Sequence, residues 1–240
     1  MPHLPDMLRA MLRHERAQVQ PATPVAGVAT ALGALALGEL ALGEAGIVVP
    51  DVDPLRLRAP SVHRALLAYA LSRLGRQVAG VDALYQEGSS GPAACALHAL
   101  ALERGGQYTG FFRDLADRQQ PTGQFLPQDP YASPDLHWFD ELVLLHAMAS
   151  HVSASQPAPL NSQPRAALLA AVRFHTNETQ PDHATTHPWG LHAFALTEDG
   201  HQTATLLLHA TQSQNAGRLD PISQLLIADA LLGLDGGGVG

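Results

Sequence analysis

The sequence predicts an all-α fold, a single domain of about ten helices arranged in two layers. Three observations lead there. Apolar residues recur at helical spacing through most of the chain, and almost no run alternates β-branched with polar residues, so strands have no support. Clusters of proline and glycine break the helical pattern repeatedly, leaving short turns. Segments apolar on most sides alternate with more amphipathic ones, as an inner and an outer layer of antiparallel helical hairpins would require. No stretch reads as an interdomain linker, so residues 1–235 form one domain and Gly236 to Gly240 a flexible Gly-rich tail.

The elements follow in order. Residues 1–20 form a short amphipathic helix with Leu4, Met7, Leu8, Met11 and Leu12 on one side. Residues 23–46, rich in Ala and Leu, read as a buried helix, and Pro50, Pro54 and Pro60 punctuate the loop after it. Ser61 caps a helix to Arg76, with Val62, Leu66, Tyr69, Ala70 and Leu74 at helical spacing. After the break at 88–92 come helices over 92–104 and 108–119, then a rigid turn with Pro121, Gly123, Pro127 and Pro130. Ser133-Pro134 opens the next helix, serine as cap and proline in the first turn, running to about Ser153. Helices over 164–176, 188–196, 200–213 and 221–234 complete the chain.

Composition excludes several functions. A chain of 240 residues, 46% hydrophobic and 15% charged, is long enough for a large core and too apolar for disorder. A net charge of -8 argues against nucleic acid as partner. All 14 basic residues are arginines, so P-loop chemistry, pyridoxal-phosphate Schiff bases and lysine general bases are excluded. Cys95 is the only cysteine, which excludes internal disulfides and multi-thiolate zinc sites; its apolar helical run marks a core thiol. The strongly apolar run from Val25 to Gly38 is too short to span a membrane. Arginines 9, 13 and 16 ahead of that run have the look of a signal peptide, but the leading segment is long and carries Asp6 and Glu15. A cytoplasmic location is expected, with export as the lesser alternative.

The segment Gly105 to Phe125, GGQYTGFFRDLADRQQPTGQF, resembles the repeat of the α/α-toroid terpenoid cyclases and protein prenyltransferases. Phe111, Phe112, Leu115, Gln119, Gly123 and Phe125 match its order of aromatics and leucine, then glutamine, glycine and aromatic, in one clear copy of about twenty residues. The resemblance implies an α/α toroid, a barrel of helical hairpins, in which these residues tie a turn to a helix end and none is catalytic. The chain departs from the family's chemistry. It has neither the acidic DxDD protonation motif of the cyclases nor the Asp/Cys/His zinc site of the prenyltransferases. Six-hairpin glycan hydrolases and lyases also use barrels of helical hairpins, with acids and histidines at the mouth. They are usually longer, so a barrel of this length would be small or incomplete.

Two stretches carry the residues suited to chemistry. In SPDLHWFDELVLLHAMASH, His137, Asp140 and Glu141 share a helix face at i, i+3 and i+4, where a carboxylate could act as general acid or base beside His137. The plain alternative is that the two acids favour the positive end of the helix dipole. His146, on the other side, reads as a satisfied core histidine. In TNETQPDHATTHPWGLHAF, Asp182 adjoins His183, and His187 follows four residues on. On a helix, Asp182, His183 and His187 could hold a divalent metal such as zinc, but Pro181 and Pro188 bracket the stretch and make a helix doubtful. A hydrogen-bonded turn and metal-free acid–base catalysis are the alternatives. Trp138, Trp189 and His192 sit beside these groups and could hold a sugar or an apolar ligand, or simply pack. Asp229, inside the apolar run PISQLLIADALLGL, must pair with an arginine or face a cavity.

These readings converge on a hydrolase or lyase acting on a glycan or polar small molecule. Asp140, Glu141 or Asp182 would work with His183 or His187 in a pocket where residues 125–141 and 176–192 meet. The alternative is a non-catalytic ligand-binding or structural protein of the same fold.

Overall fold

The computed structural model describes residues 3–18, 61–73, 75–76, 78–87, 91–128, 133–154, 162–179, 186–214 and 219–236. The helix expected over 23–46, the proline loop after it, Asp182, His183 and residues 237–240 lie outside them. The described residues form ten α-helices and no strand. They are α1 (Leu4–Gln18), α2 (Ser61–Arg73), α3 (Val81–Glu87), α4 (Gly91–Arg104), α5 (Phe111–Asp117), α6 (Pro134–Ala154), α7 (Ser162–Glu178), α8 (Leu191–Leu196), α9 (His201–Gln214) and α10 (Pro221–Gly236). The short helix α3 is a finding that the apolar periodicity did not announce.

The even-numbered helices after α1 form the interior. Residues 65–71 of α2, 141–150 of α6 and 222–231 of α10 are buried without interruption, so these helices are covered on every side. Such residues carry no apolar stripe, because every direction faces protein. Alanines keep the axes close: Ala65, Ala93, Ala96, Ala99, Ala147, Ala228 and Ala230 are all fully buried at or near contacts between these helices. In sequence order α2 packs on α4, α4 on α6, α6 on α8 and α8 on α10, and α10 also packs on α6. The odd-numbered helices lie outside, α3 on α4, α5 on α4 and α7, α7 on α6, and α9 on α8.

Pairs of contacts set the direction of the inner helices. His63 feels the charge of Asp220 while Tyr69 bonds Asp229, so α2 and α10 run the same way. His187 pairs with Asp220 and His192 lies by Asp229, which aligns α8 with α10. Phe139 packs on Trp189 and Ser150 bonds His192, which aligns α6 with α8. Ala68 packs with Ala101 while Arg64 faces His98, which aligns α4 with α2. The inner helices are therefore parallel, with their N-terminal ends gathered at one rim.

The turn expected at 119–128 is built as the chemistry of its residues demands. Gln119 donates from Nε2 to the carbonyls of Gly123 and Ala167, each at 2.8 Å, fastening the turn to α7. Gly123 has φ 103°, and a Cβ there would come within 2.6 Å of the Ala170 carbonyl oxygen, so no larger residue fits. Phe112, Leu115 and Phe125 are buried beneath it. At the other end of the chain, Asp220 caps α10, accepting the backbone N–H groups of Ile222 and Ser223 at 2.9 and 3.1 Å, with Pro221 in the first turn. Glu15 of α1 accepts the Leu219 N–H at 3.0 Å in a buried contact, holding α1 against the start of α10.

Candidate functional site

Four polar centres are set into this apolar body. The first is at the start of α6. Glu141 is fully buried, and its carboxylate accepts the backbone N–H groups of Phe125 and Leu126 at 3.1 and 2.5 Å. Those two donors would otherwise be orphaned in the core, so Glu141 clamps the preceding turn onto α6. His175 of α7 stands 3.6 Å from the same carboxylate. His137 Nε2 accepts from Gln124 Nε2 at 3.3 Å. Asp140 is half-buried, and burial pushes its carboxyl above the ordinary range. Trp138 packs on Phe174 and His175.

The second centre lies at the rim where the inner helices begin. His187 Nδ1 is 3.2 Å from Asp220 Oδ1, and both side chains are about three-quarters buried, at 23% and 27% exposure. Ser223 donates to Asp220 Oδ2 and lies 3.5 Å from His187 Nδ1. Burial would raise the Asp220 carboxyl, but the bonds from His187 and Ser223 outweigh it and bring it down to about 2. His63 of α2 faces this pair; burial, and then the charge of His187, lower it below an ordinary imidazole.

The third centre is deeper, around Asp229, which is 2% exposed. Arg73 forms an ion pair with Oδ1, and Tyr69 donates to the same oxygen at 3.0 Å. Ser150 donates to Oδ2 at 2.7 Å, and His146 Nε2 and His192 Nδ1 stand 3.2 and 3.4 Å from that oxygen. Burial alone would neutralise Asp229, but Arg73 and the surrounding donors hold its carboxyl well below the usual range. Burial together with the Asp229 charge pushes the Tyr69 phenol up to about 12. His192 is lowered by burial, against the pull of Asp229. His146 is fully buried, a core histidine as expected, with Nε2 turned toward the Asp229 carboxylate and no hydrogen-bond partner for Nδ1 among the described residues. A fourth centre pairs His151 Nδ1 with Glu103 Oε2 at 2.7 Å, with Thr109 donating to Oε1 and Phe112 stacked on the imidazole.

Comparison with protein-family models, curated proteins and solved structures finds no match to this chain. Geometry therefore carries the functional reading.

The two stretches singled out by sequence do fold against each other, through Phe139 on Trp189 and through His192 on Ser150. The acid beside His187 is Asp220, where Asp140, Glu141 or Asp182 were expected. Glu141 has spent its lone pairs on backbone donors. Trp189 is fully buried between Phe139 and His146, and His192 is fully buried too, so neither offers a face to a ligand. Asp182 and His183 lie outside the described residues, and with them most of the expected metal set. Among the described residues no group of three or more His, Cys, Asp or Glu is placed to hold a metal, and no helix is long and apolar enough to cross a membrane. A cavity of about 580 Å³ lies between the ends of α2 and α4 and the start of α3, lined by Ser72, Arg76, Asp82, Arg104 and small apolar residues. None of the expected site residues borders it.

Sequence reasoning passed over Asp220, His63, Arg73 and the serines of α6. A signal existed for Asp220, since Asp-Pro at the opening of an apolar helical run is a cap signature. Nothing local marked Arg73 as the partner of a residue 156 positions away.

Proposed function

We propose that this protein is an acid–base enzyme, a hydrolase or lyase of a glycan or polar small molecule, on a small α/α-toroid-like body. His187, oriented by Asp220, is the base. The observation that carries this reading is the 3.2 Å pair of His187 Nδ1 and Asp220 Oδ1, partly open to solvent at the rim where the parallel inner helices begin. Parallel inner helices, with α7 outside running back along α6 so that His175 lies by Glu141, are what a barrel of helical hairpins requires, which supports the toroid.

The chemistry follows from the donors. Asp220 is fixed by two backbone N–H groups and Ser223, so it is not free to turn away. A carboxylate so held accepts a hydrogen bond from Nδ1–H of neutral His187, and the lone pair then lies on Nε2, the nitrogen that would remove a substrate proton. Asp220 would stabilise the imidazolium that results. His63, held below an ordinary imidazole, is a second proton carrier facing the same pair. In a lyase the base takes a proton from the carbon beside a carboxylate and a second group returns one to the leaving oxygen; in a hydrolase the base activates water.

The experiment is a screen of purified protein against acidic and neutral polysaccharides, read both as ultraviolet absorbance of unsaturated products and as new reducing ends. Turnover is expected to fall by about 10²–10⁴-fold in His187→Ala, the usual worth of one positioned base, and substantially in Asp220→Asn. Turnover unchanged in a folded His187→Ala variant would refute the assignment.

A further inference from the structure

The polar network around Asp229 does not stop at His192. Ser153 Oγ, in the last turn of α6, lies 3.0 Å from His192 Nε2. On the other side of the ring, His192 Nδ1 lies 3.0 Å from Ser150 Oγ, and Ser150 donates to Asp229 Oδ2 at 2.7 Å. Reading the protons in order gives one consistent arrangement. With Ser150 donating to Asp229, its oxygen is the acceptor for His192 Nδ1–H. That sets the tautomer, places the lone pair on Nε2 and makes it an acceptor for the Ser153 hydroxyl. Ser153 is only partly buried, whereas His192 and Ser150 are closed off, so on this side Ser153 is the member of the network nearest to solvent.

We infer that Ser153 is an activated nucleophile with His192 as its base, a site that would take the acyl group of a carboxylic ester. The Oγ–carbon bond forms as the hydroxyl proton passes to His192 Nε2; the ester carbon–oxygen bond breaks, and the leaving alcohol departs with that proton. Water then attacks the acyl-serine, giving its proton to His192, and the carboxylic acid leaves as the proton returns to Ser153.

Three features support the assignment. The imidazolium formed on His192 would stand 3.4 Å from Asp229 Oδ2 and beside the last turn of α6, the end of the helix dipole that favours a cation. Arg73 neutralises the other carboxylate oxygen, so Asp229 remains ionised in the core while His192 is neutral. Gly233 of α10 packs against the Nε2 edge of the ring, where any Cβ would overlap Nε2, so only a glycine leaves that nitrogen room beside Ser153. The Ala149 carbonyl, 2.9 Å away, competes for the Ser153 proton. The inference rests on this network alone and is independent of His187.

The test is covalent labelling of the full chain with an alkyl fluorophosphonate, which forms an Oγ–phosphorus bond and releases fluoride. Intact-mass analysis should show one adduct and peptide mapping should place it on Ser153. The adduct should vanish in Ser153→Ala and persist in His187→Ala. His192→Gln should label at least tenfold more slowly. Because that buried variant could fail to fold, the wild-type rate is also measured against pH. It should stay level from neutral to mildly alkaline pH and fall in acid as His192 takes a proton, whereas an unassisted hydroxyl would gain about tenfold per pH unit. No adduct, an adduct elsewhere, a folded His192→Gln that labels at the wild-type rate, or a rate climbing with hydroxide would each overturn the inference.

Discussion

Replacing Asp229 by asparagine changes one atom and inverts the logic of the buried centre. Everything that approaches this carboxylate is a donor: Arg73, Tyr69 and Ser150 by direct bonds, His146 and His192 by proximity. Asparagine offers one acceptor and turns an NH₂ group toward the remaining donors. Arg73, only 12% exposed, would keep its charge with no counter-ion. Removing one partner of a buried ion pair costs about 3–5 kcal/mol. Arg73 retains a path to water, so the lower end applies, about 3 kcal/mol. For a protein of this size each kcal/mol is worth about 2–4 °C in melting temperature, giving a fall of about 6–12 °C for Asp229→Asn. Circular dichroism melts at neutral pH measure this directly. The double variant Arg73→Met/Asp229→Leu removes both charges and should melt above Asp229→Asn, since the uncompensated charge is the main penalty. The carboxyl is depressed in the folded protein, so its contribution is complete above the unfolded value near pH 4 and is lost as pH falls further, toward the folded value. An Asp229→Asn protein melting within 2 °C of the parent, by this same conversion about 0.5–1 kcal/mol, would refute the account.

Two further outcomes follow from the same reasoning. His98 is buried on α4 with Nδ1 unpartnered, and burial, helped by the Arg64 charge, lowers it to about 4. The folded protein thus resists a proton that the unfolded chain accepts, so stability is full above about pH 6.5 and declines as pH falls toward 4. His98→Leu should flatten that decline in urea unfolding at stepped pH, and an unchanged slope would show that His98 is not its source. Gln119→Ala removes the bond that closes the turn after α5 on Gly123 and the bond that fastens it to Ala167 of α7, leaving two carbonyls short of a donor. A loss of about 1–3 kcal/mol is expected in urea unfolding, and a loss under about 0.5 kcal/mol would mean water replaces the amide.

How much could be read from the chain alone depended on range. Local signals worked: Ser133-Pro134 opened α6, the 119–125 run made the turn its residues demand, and the alternation of covered and amphipathic helices separated inner from outer. Asp229 was recognisable as a charge that must pair with an arginine or face a cavity, because it sits inside the apolar run PISQLLIADALLGL, and the arginine is what it found. Which arginine it found was not, since Arg73 reaches it only once the fold brings the side chains of α2 to α10. Glu141 was placed on the right face of α6, but its role was hidden. Helical spacing says which residues share a side, and says nothing of which backbone N–H groups a turn will bring there. Asp220 went unnoticed for a related reason: a cap residue that also orients an imidazole looks in sequence like a cap and nothing more.

The docking of α10 has a temporal consequence. Synthesis delivers Tyr69, Arg73, Ser150 and His192 before the helix that carries their shared acceptor has left the ribosome. Until then the earlier helices must keep a guanidinium and several hydroxyl and imidazole groups in water, so their association stays provisional. Locking of the interior is therefore an event that waits on α10. Chains interrupted shortly before residue 221 should be open to proteolysis at the very positions that the finished protein shields best.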